Sequence, residues 1–399
     1  MNRLGLLIFL SVICTISLFS QGNGTYHQFY SEVDGLTRYY TLYVPEGHDG
    51  TEAWPLVFNF HMGNSTRDDQ IKISEMYLVA DTAKFLIVYP RGQLVLFRPY
   101  AEYGEMLGWN VPDLSVADQD DISFVREIVK DISDNPSYVI DQQRIHATGI
   151  SDGGRLSCFL AFNLSDIIAS VASVASPITD TLINYICSPV RQISVLHIQG
   201  TDDPTLPANG WPEFGIFPLM GVTDYWANVN GCNDLADSTK LEDIDQDDNS
   251  TVTMFDYNGC EQETEVKLYR INGGGHTWPG GWSPNPALGA VNKDINASSV
   301  IWSFFKRNPH PDKTLHNSEK LKTPLLNIYP NPTSDILNIR TSNSEHIGIE
   351  ISTLNGQVLL SSELKGTTHQ LNLSSFKKGV YFISIRSKDF VTTRKIVKL

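Results

Sequence analysis

Positive charge is scarce in this 399-residue chain: 30 Lys and Arg stand against 45 Asp and Glu, a net charge of −15. No basic cluster interrupts the acidity, which excludes the electrostatic footprint that a nucleic-acid partner requires. Cysteine is sparse, with five in all. No C-x-x-C spacing or close Cys/His pair occurs among them, so the chain lacks the ligand pattern of a zinc site, and no metal is expected. Beyond the N-terminal two dozen residues no apolar run is long enough to cross a bilayer, so no membrane span is expected in the mature chain. Internal repeats and low-complexity tracts are also missing.

The N-terminus, MNRLGLLIFLSVICTISLFSQGNG, has one arginine, then an apolar run, then Ser, Gln and Gly. This is the pattern of a secretory signal peptide, residues 1–21, with removal expected near Ser20 or Gln21. An exported chain favours disulfides among the four cysteines left, Cys158, Cys187, Cys232 and Cys260, for which three connectivities exist. Cys232 and Cys260 flank an acidic loop, and closing that loop is the favoured pairing. Within it, LEDIDQDDNS (241–250) alternates acids but lacks the central glycine and closing glutamate of an EF-hand, so it reads as a solvated loop.

From residue 22 to residue 307, short apolar runs alternate with helical patterns. RYYTLYVP (38–45), WPLVFNFH (54–61), FLIVYP (85–90), RIHATGI (144–150), IIASVASVAS (167–176) and QISVLHIQG (192–200) read as strands, several of them apolar at nearly every position, as in a parallel sheet buried on both faces. DQDDISFVREIVKDISD (118–134) reads as a helix with Asp120 and Asp121 as charges at its N-terminus. GGRLSCFLAFNL and NASSVIWSFFKR read as two more. The alternation predicts an α/β domain with a mostly parallel central sheet. Residues 308–324 are polar and proline-containing, as in a linker. Residues 325–399 show only short alternating strands and predict a small C-terminal all-β sandwich.

At the centre of the chain stands HATGISDGGRL. Ser151 lies in a G-x-S-x-G pattern, after a strand and before a helix, where small neighbours allow the sharp turn that lifts a serine hydroxyl clear of a sheet. A serine needs a base. Of the ten histidines, His27, His48, His310, His316, His346 and His369 lie in terminal, linker or tail regions and are expected in solvent, and His146 falls in a core strand. His61, His197 and His276 remain. His276 sits in the glycine-rich INGGGHTWPGG (271–281), late in the chain, which suits the order Ser, acid, His. The acid belongs in the turn after SVLHIQG, as Asp202 or Asp203, which spacing does not separate. Oxyanion donors are expected from the backbone of Asp152 and of Met62 or Gly63, in the loop FNFHMGNST (58–66). His61 there is expected to brace the loop. Trp109, Trp278 and Trp282 are candidates to line a substrate cleft.

HATGISDGG, HIQGTDDPTLP, YWANVNGC and GGGHTWPGG together resemble the secreted α/β-hydrolases grouped as polyhydroxybutyrate depolymerase-like and feruloyl esterase-like enzymes, of the carbohydrate esterase family one type. The resemblance spans about residues 38–306 and also includes FLIVYPRG, GWN and DDISFV. It implies the α/β-hydrolase fold, Ser151 as nucleophile, His276 as base, and Asp203 as acid, through the pattern G-T-x-D-x-x-x-P. It also implies the Cys232–Cys260 disulfide. Met62 intervenes where the family usually has His-Gly, Asp152 stands where Asn is common, and Gln199 replaces a frequent His. IYPNPTSDILNI (328–339), TLNGQVLL (353–360), LSSFKKGVYFISI (373–385) and a terminal KIVKL resemble the C-terminal sorting domain of type IX secretion. That resemblance implies the type IX machinery as a partner, export through the periplasm and outer membrane, and release or surface attachment.

The expectation is a secreted serine ester hydrolase that needs no cofactor and acts on feruloyl or acetyl esters of plant cell-wall polysaccharide. A polyhydroxyalkanoate depolymerase is the alternative, and a non-catalytic glycan-binding protein on a hydrolase fold is the rival of a different class.

Overall fold

The protein is described here by a computed structural model, which covers residues 22–33, 35–111, 113–117, 119–176, 178–180, 182, 191–311, 326–341, 346–353, 357–386 and 391–398. The signal-peptide segment and Cys187 lie outside the described residues. The chain divides into two compact units, a large one and a C-terminal one.

The large unit is built on a ten-stranded sheet. In chain order its elements are β1 (Thr25–Val33), β2 (Leu36–Val44), β3 (Trp54–Phe60), α1 (Arg67–Ser74), α2 (Met76–Ala83), β4 (Leu86–Pro90), β5 (Gln93–Phe97), β6 (Glu105–Gly108), β7 (Ser115–Val116), α3 (Asp121–Asp134), β8 (Ile140–Ile150) and α4 (Asp152–Asn163). They continue with β9 (Ser170–Val174), β10 (Ser194–Gly200), α5 (Leu219–Val229), β11 (Asp237–Lys240), β12 (Thr251–Tyr257), β13 (Val266–Asn272) and α6 (Ala297–Arg307). The spatial order is β1-β2-β4-β3-β8-β9-β10-β13-β12-β11. Its centre, from β4 to β13, runs parallel throughout, and the outer strands pair antiparallel at both ends. This is the α/β-hydrolase arrangement. Every residue of β3, β9 and β10 is buried, which is why these runs show no alternation in the sequence. On one face, alternate residues such as Ile150, Ala172 and Leu196 pack with Ile73 and Tyr77 of α1 and α2 and with Ile301 and Phe305 of α6.

The second expected helix charge has another role. Asp120 caps α3 by accepting the Ser123 N–H, but Asp121 is buried and pairs with Arg38 of β2 at 2.6 Å. Asp121 also accepts the Asn110 N–H, and Arg38 lies 4.1 Å above the Phe124 ring. The loop 93–116 holds a small sheet of its own, order β6-β5-β7, which the sequence pattern did not reveal. His310, expected in solvent, is instead buried, and its backbone N–H donates to Gln143 O at 2.7 Å, so the large unit runs past the end of α6.

The C-terminal unit comprises β14 (Leu326–Tyr329), β15 (Ile336–Thr341), β16 (His346–Thr353), β17 (Val358–Lys365), β18 (Thr368–Asn372), β19 (Gly379–Arg386) and β20 (Val391–Lys398). These form two antiparallel sheets, β14-β15-β18 and β17-β16-β19-β20. Leu337, Ile339 and Leu371 of the first share a core with Ile349, Ile351, Ile383 and Ile385 of the second, which makes a sandwich. No described helix is long and apolar enough to cross a membrane.

Cys232 and Cys260 form a disulfide across 28 residues, enclosing the β11–β12 edge, while Cys158 is a buried free thiol. Closing a loop of that size in the unfolded chain stabilises the fold by roughly 3 to 4 kcal/mol in the chain-entropy description. The double variant Cys232→Ser/Cys260→Ser is therefore expected to lower the unfolding free energy by that amount, read as a fall in the urea midpoint. An unchanged midpoint would show that the closed loop adds no stability.

Candidate active site

Ser151 joins β8 to α4 with φ 56° and ψ −120°, in the left-handed half of conformational space that only a fully determined turn holds for a serine. Its N–H donates to Val174 O of the next strand at 2.8 Å. The flanking glycines are required by space. A Cβ on Gly149 would lie 2.6 Å from the Gly153 carbonyl carbon, and one on Gly153 would lie 2.3 Å from Phe60 O. The turn thus brings α4 hard against β3, with the Asp152 N–H, as the first of the helix, left without an intrahelical acceptor.

Asp203 follows β10 and His276 follows β13. With β8 and β9, these are adjacent parallel strands, so Ser151, Asp203 and His276 all emerge at the C-terminal edge of one sheet. Their loops are stitched together: Asp202 N–H donates to Gly274 O at 3.0 Å and Gly273 N–H to Thr201 Oγ1 at 2.8 Å. His276 is 2% exposed, and its Nδ1–H donates to Asp203 Oδ2 at 2.7 Å. That bond fixes the tautomer and leaves the lone pair on Nε2. Asp203 Oδ1 accepts the N–H groups of Thr205 (2.8 Å) and Leu206 (2.7 Å), and Oδ2 also accepts Gln199 Nε2 at 2.9 Å. Asp202 is exposed and, among the described residues, its carboxylate accepts the neighbouring Thr201 hydroxyl. The pair that spacing left open is thereby separated.

The other two histidine candidates are structural. His61 donates from Nδ1 to Met62 O (2.7 Å) and accepts the Gly92 N–H on Nε2 (2.9 Å), and burial holds its pKa below the usual histidine range. His197 is buried in β10, bonded through Nδ1 to Ser173 Oγ at 2.7 Å, and burial pushes its pKa down to about 4. His146 is similar: Nδ1 meets Ser170 Oγ at 2.9 Å, the ring stacks on Phe305, and burial lowers it to about 3.

The loop at Met62 and Gly63 runs beside the elbow, since a Cβ on Gly63 would lie 3.7 Å from Asp152 Cβ. Trp109 and Trp278 are corrected as cleft candidates. Trp109 is fully buried, with its indole N–H donating to His61 O at 2.9 Å, and Trp278 is buried with its indole N–H on Ser298 Oγ at 3.1 Å. Both tie loops from beneath. Of the three, only Trp282, 48% exposed, offers a face to solvent.

Two residues here carried no usable signal in the sequence, Arg155 and Asp113. The Asp152 carboxylate accepts the Trp109 N–H at 2.8 Å and pairs with Arg155. The Arg155 guanidinium, fully buried, also reaches Val111 O (3.1 Å), Asp113 and Ser115 Oγ (2.7 Å). Thr179 Oγ1 donates to the far oxygen of Asp113 at 2.7 Å. The nucleophile turn is thus clamped to residues 109–115. No cluster of metal-ligating side chains occurs among the described residues.

Residues 327–399 match the model of the secretion system C-terminal sorting domain. Feruloyl esterase B of Piromyces equi is 29% identical over 242 residues, covering 58% of this chain and 41% of that protein. Feruloyl esterase C of Emericella nidulans is 25% identical over 277 residues, covering 67% of this chain and 83% of that protein. The large unit has the α/β-hydrolase fold and is similar in sequence to esterases, and the tail is similar to a sorting domain. Among solved structures, an acetyl xylan esterase from Aspergillus awamori superposes with a TM-score of 0.46 at 14% identity, covering 71% of this chain and all of that one. The chain spans about two fifths of the length of the first relative, Feruloyl esterase B.

Two outcomes are expected. Arg155→Met leaves Asp152 and Asp113 buried without their cation and should cost about 3 to 5 kcal/mol of unfolding free energy in urea. A loss under about 1 kcal/mol, the scale of an exposed pair, contradicts the clamp. The second concerns acid. His146 and His197 stay neutral in the fold, while the unfolded chain protonates them below about pH 6.5. The unfolded state then binds more protons, so stability is complete above that pH and falls by about 1.4 kcal/mol per pH unit for each histidine as pH drops toward their folded values. His197→Asn should flatten the stability profile between pH 6.5 and 5. An unaltered slope would mean that His197 is protonated in the fold.

Proposed function

We propose that the large unit is a serine carboxylesterase acting on feruloyl or acetyl esters of plant cell-wall polysaccharide. The observation that carries this reading is the buried Asp203–His276 bond of 2.7 Å, on the same sheet edge as a serine held at positive φ. Ser151 Oγ attacks the ester carbonyl as His276 Nε2 takes its proton. The oxyanion is held by the backbone N–H groups of Asp152 and of the Met62–Gly63 loop, each such donor being worth on the order of 10²–10³ in rate. The tetrahedral adduct collapses, the Ser151 ester remains, and the departing alcohol takes the proton from His276. Water then attacks the acyl-enzyme with His276 again as base, releasing the acid and restoring Ser151. Asp203 holds the imidazole in one tautomer and stabilises its charged form.

The relatives named as feruloyl esterases support the ester class and the plant cell-wall setting. The sorting domain supports export by the type IX machinery, across the outer membrane to the cell surface or the medium. The chemistry asks for no cofactor.

Ser151→Ala is expected to lower kcat on p-nitrophenyl acetate by about 10⁴ or more, and Asp203→Asn by about 10³–10⁴. Wild-type protein no faster than Ser151→Ala would overturn the reading. A screen on methyl ferulate, acetylated xylan and hydroxybutyrate oligomers assigns the ester, and turnover confined to the last would replace the polysaccharide with a polyester.

A further inference from the structure

Two separate segments bring aromatic side chains together beside Asp203. Phe97, Tyr100 and Tyr103 come from the insertion at and after β5, and Trp211 and Phe214 from the turn before α5. Their rings form a continuous chain: Phe97–Tyr100 at 5.8 Å, Tyr100–Tyr103 at 6.4 Å, Tyr100–Trp211 at 6.3 Å and Trp211–Phe214 at 4.8 Å. Beneath them lies a small core of Leu114, Leu206 and Ile216. The rings are not sealed into that core. Four are half-buried, and Tyr103 is 77% exposed. A row of aromatic faces open to water, roofing only three aliphatic side chains, is more apolar surface than packing requires.

Its position relates it to the chemistry. The Tyr100 hydroxyl reaches within 3.5 Å of Thr205 O, and Leu206 belongs to the small core. Thr205 and Leu206 are the residues whose N–H groups hold Asp203 Oδ1. The wall therefore backs the turn that orients His276. In the esterase reading, on which this inference rests, His276 returns its proton to the departing alcohol, so the alcohol lies on the His276 side. The acyl carbonyl lies on the other side, at Asp152 and the Met62 loop. The part of the wall on the Asp203 turn, Tyr100 and Trp211, lies on the alcohol's side.

We infer that Tyr100, Tyr103, Trp211 and their neighbours form a subsite that stacks the sugar rings of the ester's alcohol, and that this glycan is uncharged. Aromatic faces suit the apolar C–H faces of sugar rings, and the phenol and indole edges remain free for hydroxyl groups. The charge around the wall selects among glycans. Glu102, Glu105 and Glu213 stand exposed on the same segments, against the single cation Arg98. A uronic-acid polymer meets repulsion there, whereas an arabinoxylan chain does not.

The first test is binding without turnover. Full-length Ser151→Ala protein is titrated calorimetrically with unesterified arabinoxylo-oligosaccharide and, separately, with oligogalacturonate. The neutral sugar should bind and the anionic one should not. Adding Tyr103→Ala, an exposed position that leaves the fold intact, or Trp211→Leu should weaken binding about tenfold, the scale of one aromatic contact. The second test is kinetic. Methyl ferulate and a feruloylated arabinoxylo-oligosaccharide share an acyl group and differ only in alcohol. Each variant, made in the active chain, should lower the ratio of kcat/KM for the sugar ester over the methyl ester by about tenfold. Absence of neutral-sugar binding, equal binding of oligogalacturonate, or an unmoved ratio overturns the subsite. The esterase reading fails by a separate result, equal hydrolysis by wild type and Ser151→Ala.

Discussion

One buried guanidinium holds the elbow of this protein in place. Arg155 sits one helical turn after Ser151, and all its donors are used: on Asp152, on Asp113, on a carbonyl at Val111 and on the Ser115 hydroxyl. Removing a cation and two carboxylates from water costs several kcal/mol per ion, and attraction alone offsets this only when the remaining lone pairs are also met. Here they are. Asp152 also accepts the Trp109 N–H, and Asp113 accepts the Leu114 N–H and the Thr179 hydroxyl. The position of Asp152 in the first turn of α4 adds the favourable end of the helix dipole. A carboxylate beside a proposed nucleophile would repel a developing oxyanion if it were free to turn toward it. Held from behind by Arg155 and Trp109, it is directed away, and only its backbone N–H is left to face the site.

Asp203 shows the same principle in a second setting. Its carboxylate receives two backbone N–H groups, the Gln199 amide and the His276 ring. Rotating it would break all of these together, so the imidazole orientation is set before any substrate arrives. Gln199 supplies a donor that does not titrate. The two carboxylates thus differ in what they present to the site. One is neutralised by a buried cation and offers its backbone, whereas the other is held by neutral donors and keeps its charge for a histidine.

What the sequence revealed follows from what is local. The buried strands announced themselves because a parallel core sheet needs apolar residues on both faces, and the glycines around Ser151 because no side chain fits there. The order of Ser151, Asp203 and His276, and the loop closed by Cys232 and Cys260, needed only strand succession and resemblance. Partnerships across distant segments were not legible. Asp121 is an acid in the first turn of α3, as its position suggests, but its pairing with Arg38, 83 residues away, leaves no local signal. Trp109 and Trp278 were expected in a cleft because composition does not tell a tryptophan that lines a pocket from one whose indole N–H ties a loop from below. Arg155 stood in plain view, but its importance depends on Asp113, 42 residues earlier, in a loop with no regular pattern.

The parts that were not legible lie outside the sheet, where the segment at residues 93–116 and the turn before α5 supply surfaces of their own. They are not independent of the sheet edge. Phe97, at the root of the aromatic wall, lies 5.1 Å from the Arg155 guanidinium, across its ring face. The cation that fixes the elbow therefore also anchors the insertion from which the wall is built, and a shift in either reaches the other through one side chain. A substrate gripped along the wall would be registered against the nucleophile by that shared contact. In the proposed reading, recognition of the alcohol and positioning of the serine meet at Arg155.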